Sequence, residues 1–505
     1  MLSVTGIKPF VQAGFLSVVA YVAFKVIQYF VWCRKLSRAL RTVKGVSENP
    51  NWLLGDVRLI KEAGSLTNLR AAAFDRFPGE RFLKVYLGPM PILMSREYDF
   101  FKFVTSNQTG SPTPFGKVRN AVIHVLIGFY NVIALDGPEW SLHRGTLTSL
   151  FSLKNLQNAI DFSNTLYDRL EHLWDEEIAA QSSTSQSAVI DFEPYASQLA
   201  AGTIINLLFS IDAGVLKQNI HTLPPMIEKF EAAQKETEQL MRLPPFMSNW
   251  PLPARIKLYW RCREADNEFQ AIIQQRRDKF QNEYVPNQDL SQDAFDLMLN
   301  PAVQPPFSNE AIHDNILALS WAGHRPAELL ISWCLYYLAK YPQHQETVFE
   351  EVAALPRPFV YDDISRCTNL DKFINEVLRI TSIAPSMLKH STTDETNYNG
   401  LQLPKGLWVM VSIFDMHRDP TYFEKPDVFD PERELASNSK FNPFSAGEKR
   451  CLGMKPARLE CRAFIAAIIR GYRVELVPGA NYNVIRHFLV RPEAGMKIRI
   501  HKRSS

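Results

Sequence analysis

Apolar residues recur every three or four positions through 140–151, 194–209, 223–242, 257–281, 309–340 and 368–381, the spacing of helices that bury one face. Short runs rich in β-branched and aromatic residues, FLKVYLG (82–88), LWVMVSI (407–413) and MKIRI (496–500), predict strands. NPNWLLGD (49–56) carries the Pro, Asn and Gly of an entry into a domain. Beyond it no stretch resembles a long flexible linker. The pattern predicts one large, mainly α domain with a small β region over 51–505. LPPFMSNWPLP (243–253) separates two helices with four prolines and presents Phe246, Met247 and Trp250. It reads either as a lid or membrane-dipping loop, or as a buried turn. The helix at 309–340 holds an anomaly: His324, Arg325 and Pro326 stand in mid-run. An interior proline removes a hydrogen bond and costs about 3 kcal/mol, so its presence requires a reason.

The chain's first segment has a different pattern. Phe10 to Trp32 is predominantly apolar, interrupted by Lys25 and Gln28. As a helix its 23 residues reach ~35 Å, enough to cross a bilayer core of about 30 Å. Arg34, Lys35, Arg38, Arg41 and Lys44 follow at once. That order places the downstream chain on the cytosolic side and argues against a cleaved signal peptide, whose charge precedes its apolar core. The expectation is a single-pass anchor at 10–32 in the endoplasmic reticulum membrane and a basic hinge at 33–50. A buried or surface amphipathic helix is the alternative.

Composition adds limits. The 505 residues are 46% hydrophobic and 22% charged with a net charge of +3, which suits a folded protein with a large core and gives no reason to expect a nucleic-acid partner. The cysteines are scattered with no CxxC pair, so thiols are expected rather than a disulfide framework. No HExxH, paired Cys/His spacing, GxGxxG or Walker loop occurs, which sets aside the common zinc and nucleotide sites.

One thiol has a distinctive setting. In FNPFSAGEKRCLGMKPARLECRAF (441–464), Phe444, Gly447 and Gly453 surround Cys451, and a helical pattern begins just beyond it. Free N–H groups and the dipole at a helix start favour a thiolate, and Lys449 and Arg450 add positive charge. Glycines there permit close approach of a flat ligand. Taken alone, such a cysteine is more often an ordinary buried one.

The pattern FxxGxxxCxG followed by Ala457 and Glu460 resembles the haem-binding loop of the cytochrome P450 family. The resemblance implies that Cys451 is the axial thiolate of haem b, a ligand that favours O–O cleavage. Lys449 stands where an arginine is usual, and Pro456 where a bulky apolar residue is usual. Three further segments follow the family's order. EVLR supplies Glu376 and Arg379, and MHRDPTYFEKPDVFDPER supplies Arg433, the expected third member of a buried structural triad. WSLHR supplies Trp140 and Arg144 as contacts to a haem propionate, with His143 and Lys389 as weaker candidates. The resemblance implies a membrane-bound monooxygenase that takes a hydrophobic small molecule (a sterol, fatty acid, terpenoid or polyketide) and electrons from an NADPH-dependent flavoprotein reductase. Lys449, Arg450, Lys455, Arg458 and Arg462 would face that reductase. A binding protein that kept the fold without the chemistry is the non-enzyme alternative.

Within the same resemblance AGHRPA aligns with the oxygen-binding AGx(D/E)T(T/S). Ala322 and Gly323 match and would leave room for dioxygen, while Arg325 and Pro326 replace the acid–alcohol pair that organises proton delivery. Three accounts follow. A substrate carboxylate or hydroxyl, held by Arg325, supplies the missing group, as the same Arg-Pro pair does in fatty-acid peroxygenases. Alternatively oxygen arrives on the substrate as a hydroperoxide. In the third account Arg325 pairs with Glu328, one helical turn on, and water carries the protons.

Overall fold

The structure is a computed structural model that describes residues 4–106, 115–118, 126–181, 186–217, 220–224, 227–228, 231, 233, 236–237, 239–240, 252–283 and 293–503. The proline-rich stretch at 243–251 and half of the helix expected at 223–242 lie outside the described residues.

The chain opens with α1 (Val4–Ala39) and a short strand β1 (Lys44–Gly45). Strands β2 (Phe82–Leu87) and β3 (Met90–Ser95), helix α2 (Tyr98–Thr105) and strand β4 (Phe115–Lys117) follow. Next come α3 (Gly137–Thr148), α4 (Leu153–Gln181), β5 (Ser187–Asp191), α5 (Phe192–Phe209), α6 (Pro253–Glu283), α7 (Asn309–Lys340) and α8 (Thr368–Thr381). The C-terminal part holds β6 (Ser386–Ser391), β7 (Trp408–Ser412), α9 (Met454–Gly471), β8 (Tyr472–Leu476) and β9 (Lys497–Lys502). A six-stranded sheet runs β1-β2-β3-β7-β6-β4, and β8-β9-β5 form an antiparallel three-stranded one. The periodicity located α7 and α8 to the residue, and α7 has clean ends. The Ser308 hydroxyl accepts the Ala311 N–H at 3.1 Å at the start of α7, and Pro342 follows its end.

Two apolar cores result. The larger joins α3, α4, α5, α7, α8 and α9; the smaller lies beneath β2, β3 and β7. α7 crosses the larger core with 22 buried residues, among them Ile316, Leu329 and Trp333.

The smaller core changes the expected domain boundary. Cys33, Leu36 and Leu40, in the segment expected to be a hinge, are buried in it. Trp32 packs on Gly406, where an added Cβ would sit 2.8 Å from its ring, and Lys35 pairs with Asp394 at 2.9 Å. Residues 29–40 therefore belong to the domain: their 33/36/40 spacing puts three apolar side chains on one helix face. The expected crossing at 10–32 falls within α1, with Leu16, Val22, Phe24, Ile27 and Val31 exposed. Among the described residues no helix is long and apolar enough to cross a membrane.

Candidate active site

The Cys451 loop is built between α2 and α9. The Cys451 N–H donates to the Phe444 carbonyl at 3.0 Å, closing the turn, and α9 begins at Met454. Gly447 has φ +73°, and a side chain there would strike the Thr105 carbonyl oxygen at the end of α2. That close approach, rather than room for a ligand, is what requires glycine. Among the described cysteines Cys33, Cys334, Cys367 and Cys461 are buried and Cys451 is exposed. Desolvation nonetheless raises its pKa, opposed by the Gly453 N–H and by Arg144. The thiol thus has a guanidinium in electrostatic reach.

Beside it lies a concentration of cations. Lys117 and Lys389 stand directly opposite each other in the β4–β6 pair, an arrangement of like charges that destabilises a sheet. Burial and then the neighbouring Lys389 and Lys449 push Lys117 down to about 7; burial and Lys449 push Lys389 down to about 8. Arg144 adds to the same field. Lys449 pairs with Asp136, whose other oxygen accepts the Lys117 backbone N–H at 2.9 Å. Trp140 is buried with the ammonium groups of Lys449 and Lys117 at 5.4 and 5.8 Å from its ring. Lys117, Lys389 and Lys449 beside Asp136, with Arg144 adding to their field, fit a dianionic ligand such as the two propionates of haem. Lys117 was not legible because β-pairing, not a motif, brings it there. His143 goes elsewhere: its Nδ1 lies 2.9 Å from Asn315 Nδ2 and its ring stacks on Phe307.

The three residues expected to form a triad come together. Arg379 donates to both oxygens of Glu376 at 2.7 Å, with both side chains fully buried. Arg433 Nε reaches Glu376 at 3.4 Å. The pair also organises the chain leading to the thiol. Arg379 donates to the His417 and Pro426 carbonyls at 2.9 and 2.7 Å, and Glu376 accepts the Asp430 N–H at 2.9 Å. His417, buried and pushed down to about 3 by burial and the nearby Arg379 and Arg418, stays neutral. Its Nε2 accepts the Asn442 N–H at 3.1 Å, at the start of the Cys451 loop.

α7 runs unbroken through Pro326. The missing N–H deprives the Ala322 carbonyl of its helical partner. Gly323 faces α5: a Cβ there would strike Ile204, so its small size serves helix contact. Arg325 is surrounded by carboxylates of the chain itself. It pairs with Glu328, with Glu193 at 2.9 Å and with Glu231 at 3.8 Å. Burial opposes its charge, but Glu328 and Glu193 outweigh this and hold it protonated. A substrate carboxylate would have to displace these partners against their repulsion. The expected pairing with Glu328 is present, and two partners from distant sequence join it. Arg325→Ala would strand them, so it is expected to cost about 3–5 kcal/mol of stability. Thermal unfolding of the haem-loaded variant checks this; an unchanged midpoint would leave Arg325 free for another role.

The expected reductase-facing patch is smaller than its sequence suggests. Arg458 and Arg462 both pair with Asp371, and Lys449 with Asp136, which leaves Arg450 and Lys455 exposed.

The exposed thiol, the cation cluster and the buried Glu–Arg pair together are the parts of a haem-thiolate protein. The family model for cytochrome P450 matches residues 46–500, and the chain belongs to that family. It is a monooxygenase whose cofactor is haem held by an axial cysteine thiolate. Human cytochrome P450 4X1 is 25% identical to it, over 97% of this chain and 97% of that protein. Rat cytochrome P450 4A2 is also 25% identical, over 94% and 92%. A crystal structure of a cytochrome P450 (CYP102L1) shares the fold, with a TM-score of 0.73 and 20% identity, over 88% of this chain and 98% of that one.

Proposed function

We propose that Cys451 is the axial ligand, that Lys117, Arg144, Lys389, Lys449 and Trp140 hold the haem propionates, and that the chain oxidises a hydrophobic small molecule with electrons from an NADPH-dependent flavoprotein reductase. The carrying observation is the one exposed thiol among the described cysteines, in electrostatic reach of Arg144, which adds to the field of Lys117, Lys389 and Lys449. Thiolate-bound haem supplies activation of dioxygen for insertion into a C–H bond. The chain's part is to hold the thiol, neutralise the propionates and exclude water. The engagement of Arg325 by three carboxylates favours a neutral substrate such as a sterol or terpenoid over one recognised by its carboxylate. The exposed apolar residues of α1 support membrane association through the segment preceding Tyr29, with its docked last turns fixing the domain's orientation.

Product profiling by mass spectrometry on membranes carrying the protein tests this reading. Sterol, terpenoid and fatty-acid panels are run with NADPH and reductase, or with peroxide alone. Products are expected only with reductase. Equal turnover with peroxide would favour a peroxygenase; no product from a protein with an intact carbon monoxide spectrum would favour a binding protein. A chain lacking residues 1–28, which keeps the docked Trp32, should leave the membrane fraction with its haem spectrum intact.

A further inference from the structure

The cluster around Arg325 contains a group without a partner. Glu328 is completely buried between α5 and α7, and its Oε2 makes no hydrogen bond. Its other oxygen is held by Arg325. One turn back along the same face, His324 is 3% exposed, and its Nε2 lies 3.9 Å from the orphan oxygen. Ser197 on α5 faces that nitrogen with its hydroxyl at 3.0 Å and its carbonyl oxygen, an acceptor, at 3.2 Å, so ligation through Nε2 requires the ring proton to sit on Nδ1. Glu231 completes the group, 3.5 Å from the Ser197 hydroxyl. One ligand atom from each of Glu231, His324 and Glu328 falls within 4.8 Å of the other two.

We infer that Glu231, His324 and Glu328 form a binding site for one divalent transition-metal cation, zinc being the fitting probe, separate from the haem. Charge supports it. Three carboxyl groups, those of Glu193, Glu231 and Glu328, face a single guanidinium, an imbalance that one divalent ion would offset. Asp191 and Arg491 line the same cavity. One imidazole and two carboxylates are a zinc-type donor set with a fourth position for water. A cavity of about 470 Å3, lined by Ser197, Glu231, Arg325 and Glu328, supplies that water and an entry path. Atoms around a tetrahedral zinc stand about 3.3 Å apart. Glu231, whose side chain is 38% exposed, is the ligand free to close the remaining gap. Arg325, bridged to the ion by the Glu328 carboxylate, becomes an outer partner that orients a ligand. The ion would tie Glu231 and α5 to α7 beside Pro326, where the helix has lost a hydrogen bond.

The test uses the full haem-loaded chain, stripped with a chelator and titrated with zinc against a chromophoric competitor. The expected result is one tight site per chain, an unfolding midpoint raised by zinc, and an unchanged Soret spectrum, which keeps the outcome independent of the haem assignment. His324→Ala and Glu231→Gln should each weaken that site by more than about 100-fold. Glu231→Gln is the variant at the half-exposed position and guards against a folding defect at His324. X-ray absorption should show nitrogen and oxygen ligands only. Binding that is non-stoichiometric, or equal in both variants and the parent, overturns the proposal. So does a protonated-carboxyl infrared band that Glu328→Gln removes and zinc leaves unchanged.

Discussion

Cys451→Ala is expected to abolish the red-shifted carbon monoxide band of the ferrous protein, reducing the thiolate signal to baseline while the fold survives. No described cysteine can substitute, since Cys33, Cys334, Cys367 and Cys461 are buried in the cores. Alanine removes a desolvated thiol without stranding a charge, so the circular dichroism spectrum should hold. The lysines add a pH signature to haem reconstitution. Without haem, burial and mutual repulsion depress Lys117 to about 7 and Lys389 to about 8. Propionates would restore both to higher values, so haem loading near pH 8 should take up protons. Their depression costs the haem-free chain stability below about pH 7 and is relieved as pH rises toward the unfolded lysine value of ~10.4. Haem affinity should therefore weaken as pH climbs past 8. Reconstitution followed by a pH indicator and a carbon monoxide spectrum measures both effects. A Cys451→Ala protein that retains the red-shifted band would refute the ligand assignment.

The unevenness of what could be read in advance has a physical pattern. Local signals located the elements: the ends of α7 follow from capping, proline and apolar period within one segment, and those of α8 from apolar period alone. Glu376 and Arg379 were legible because three-residue spacing on a helix places them together whatever the rest of the chain does. The environment of Arg325 was half legible for the same reason. Glu328 lies one turn away, but Glu193 and Glu231 arrive from α5 and the segment after it, 132 and 94 positions earlier in the chain. Lys117 escaped notice because β4 is three residues long and owes its place to pairing with β6. The 33–50 segment was read by its charge, which concealed the apolar 33/36/40 stripe that docks it. In each case charge or motif suggested a function and tertiary packing decided the partner.

Packing also sets the second large effect. Glu376→Ala and Arg379→Ala are each expected to yield little folded, haem-loaded protein. Removing one partner of a fully buried pair leaves the other charge uncompensated, at about 3–5 kcal/mol, comparable with much of a domain's stability. The damage would not stay local. Loss of Arg379 also frees the His417 and Pro426 carbonyls, and loss of Glu376 frees the Asp430 N–H. His417 then loses the frame in which its Nε2 receives the Asn442 N–H, the link to the loop of Cys451. Arg379→Lys keeps the charge but not the fork of donors, so it should fall between wild type and alanine. Arg433→Ala should be milder than either core substitution. Its contact with Glu376 is longer, at 3.4 Å, and its closer partners are the Glu424 and Lys425 carbonyls at 2.6 and 2.9 Å. Haem content per folded chain, read from absorbance after size-exclusion chromatography, ranks the four variants. Wild-type haem content and melting in Glu376→Ala and Arg379→Ala would show that the pair does not hold the thiolate loop.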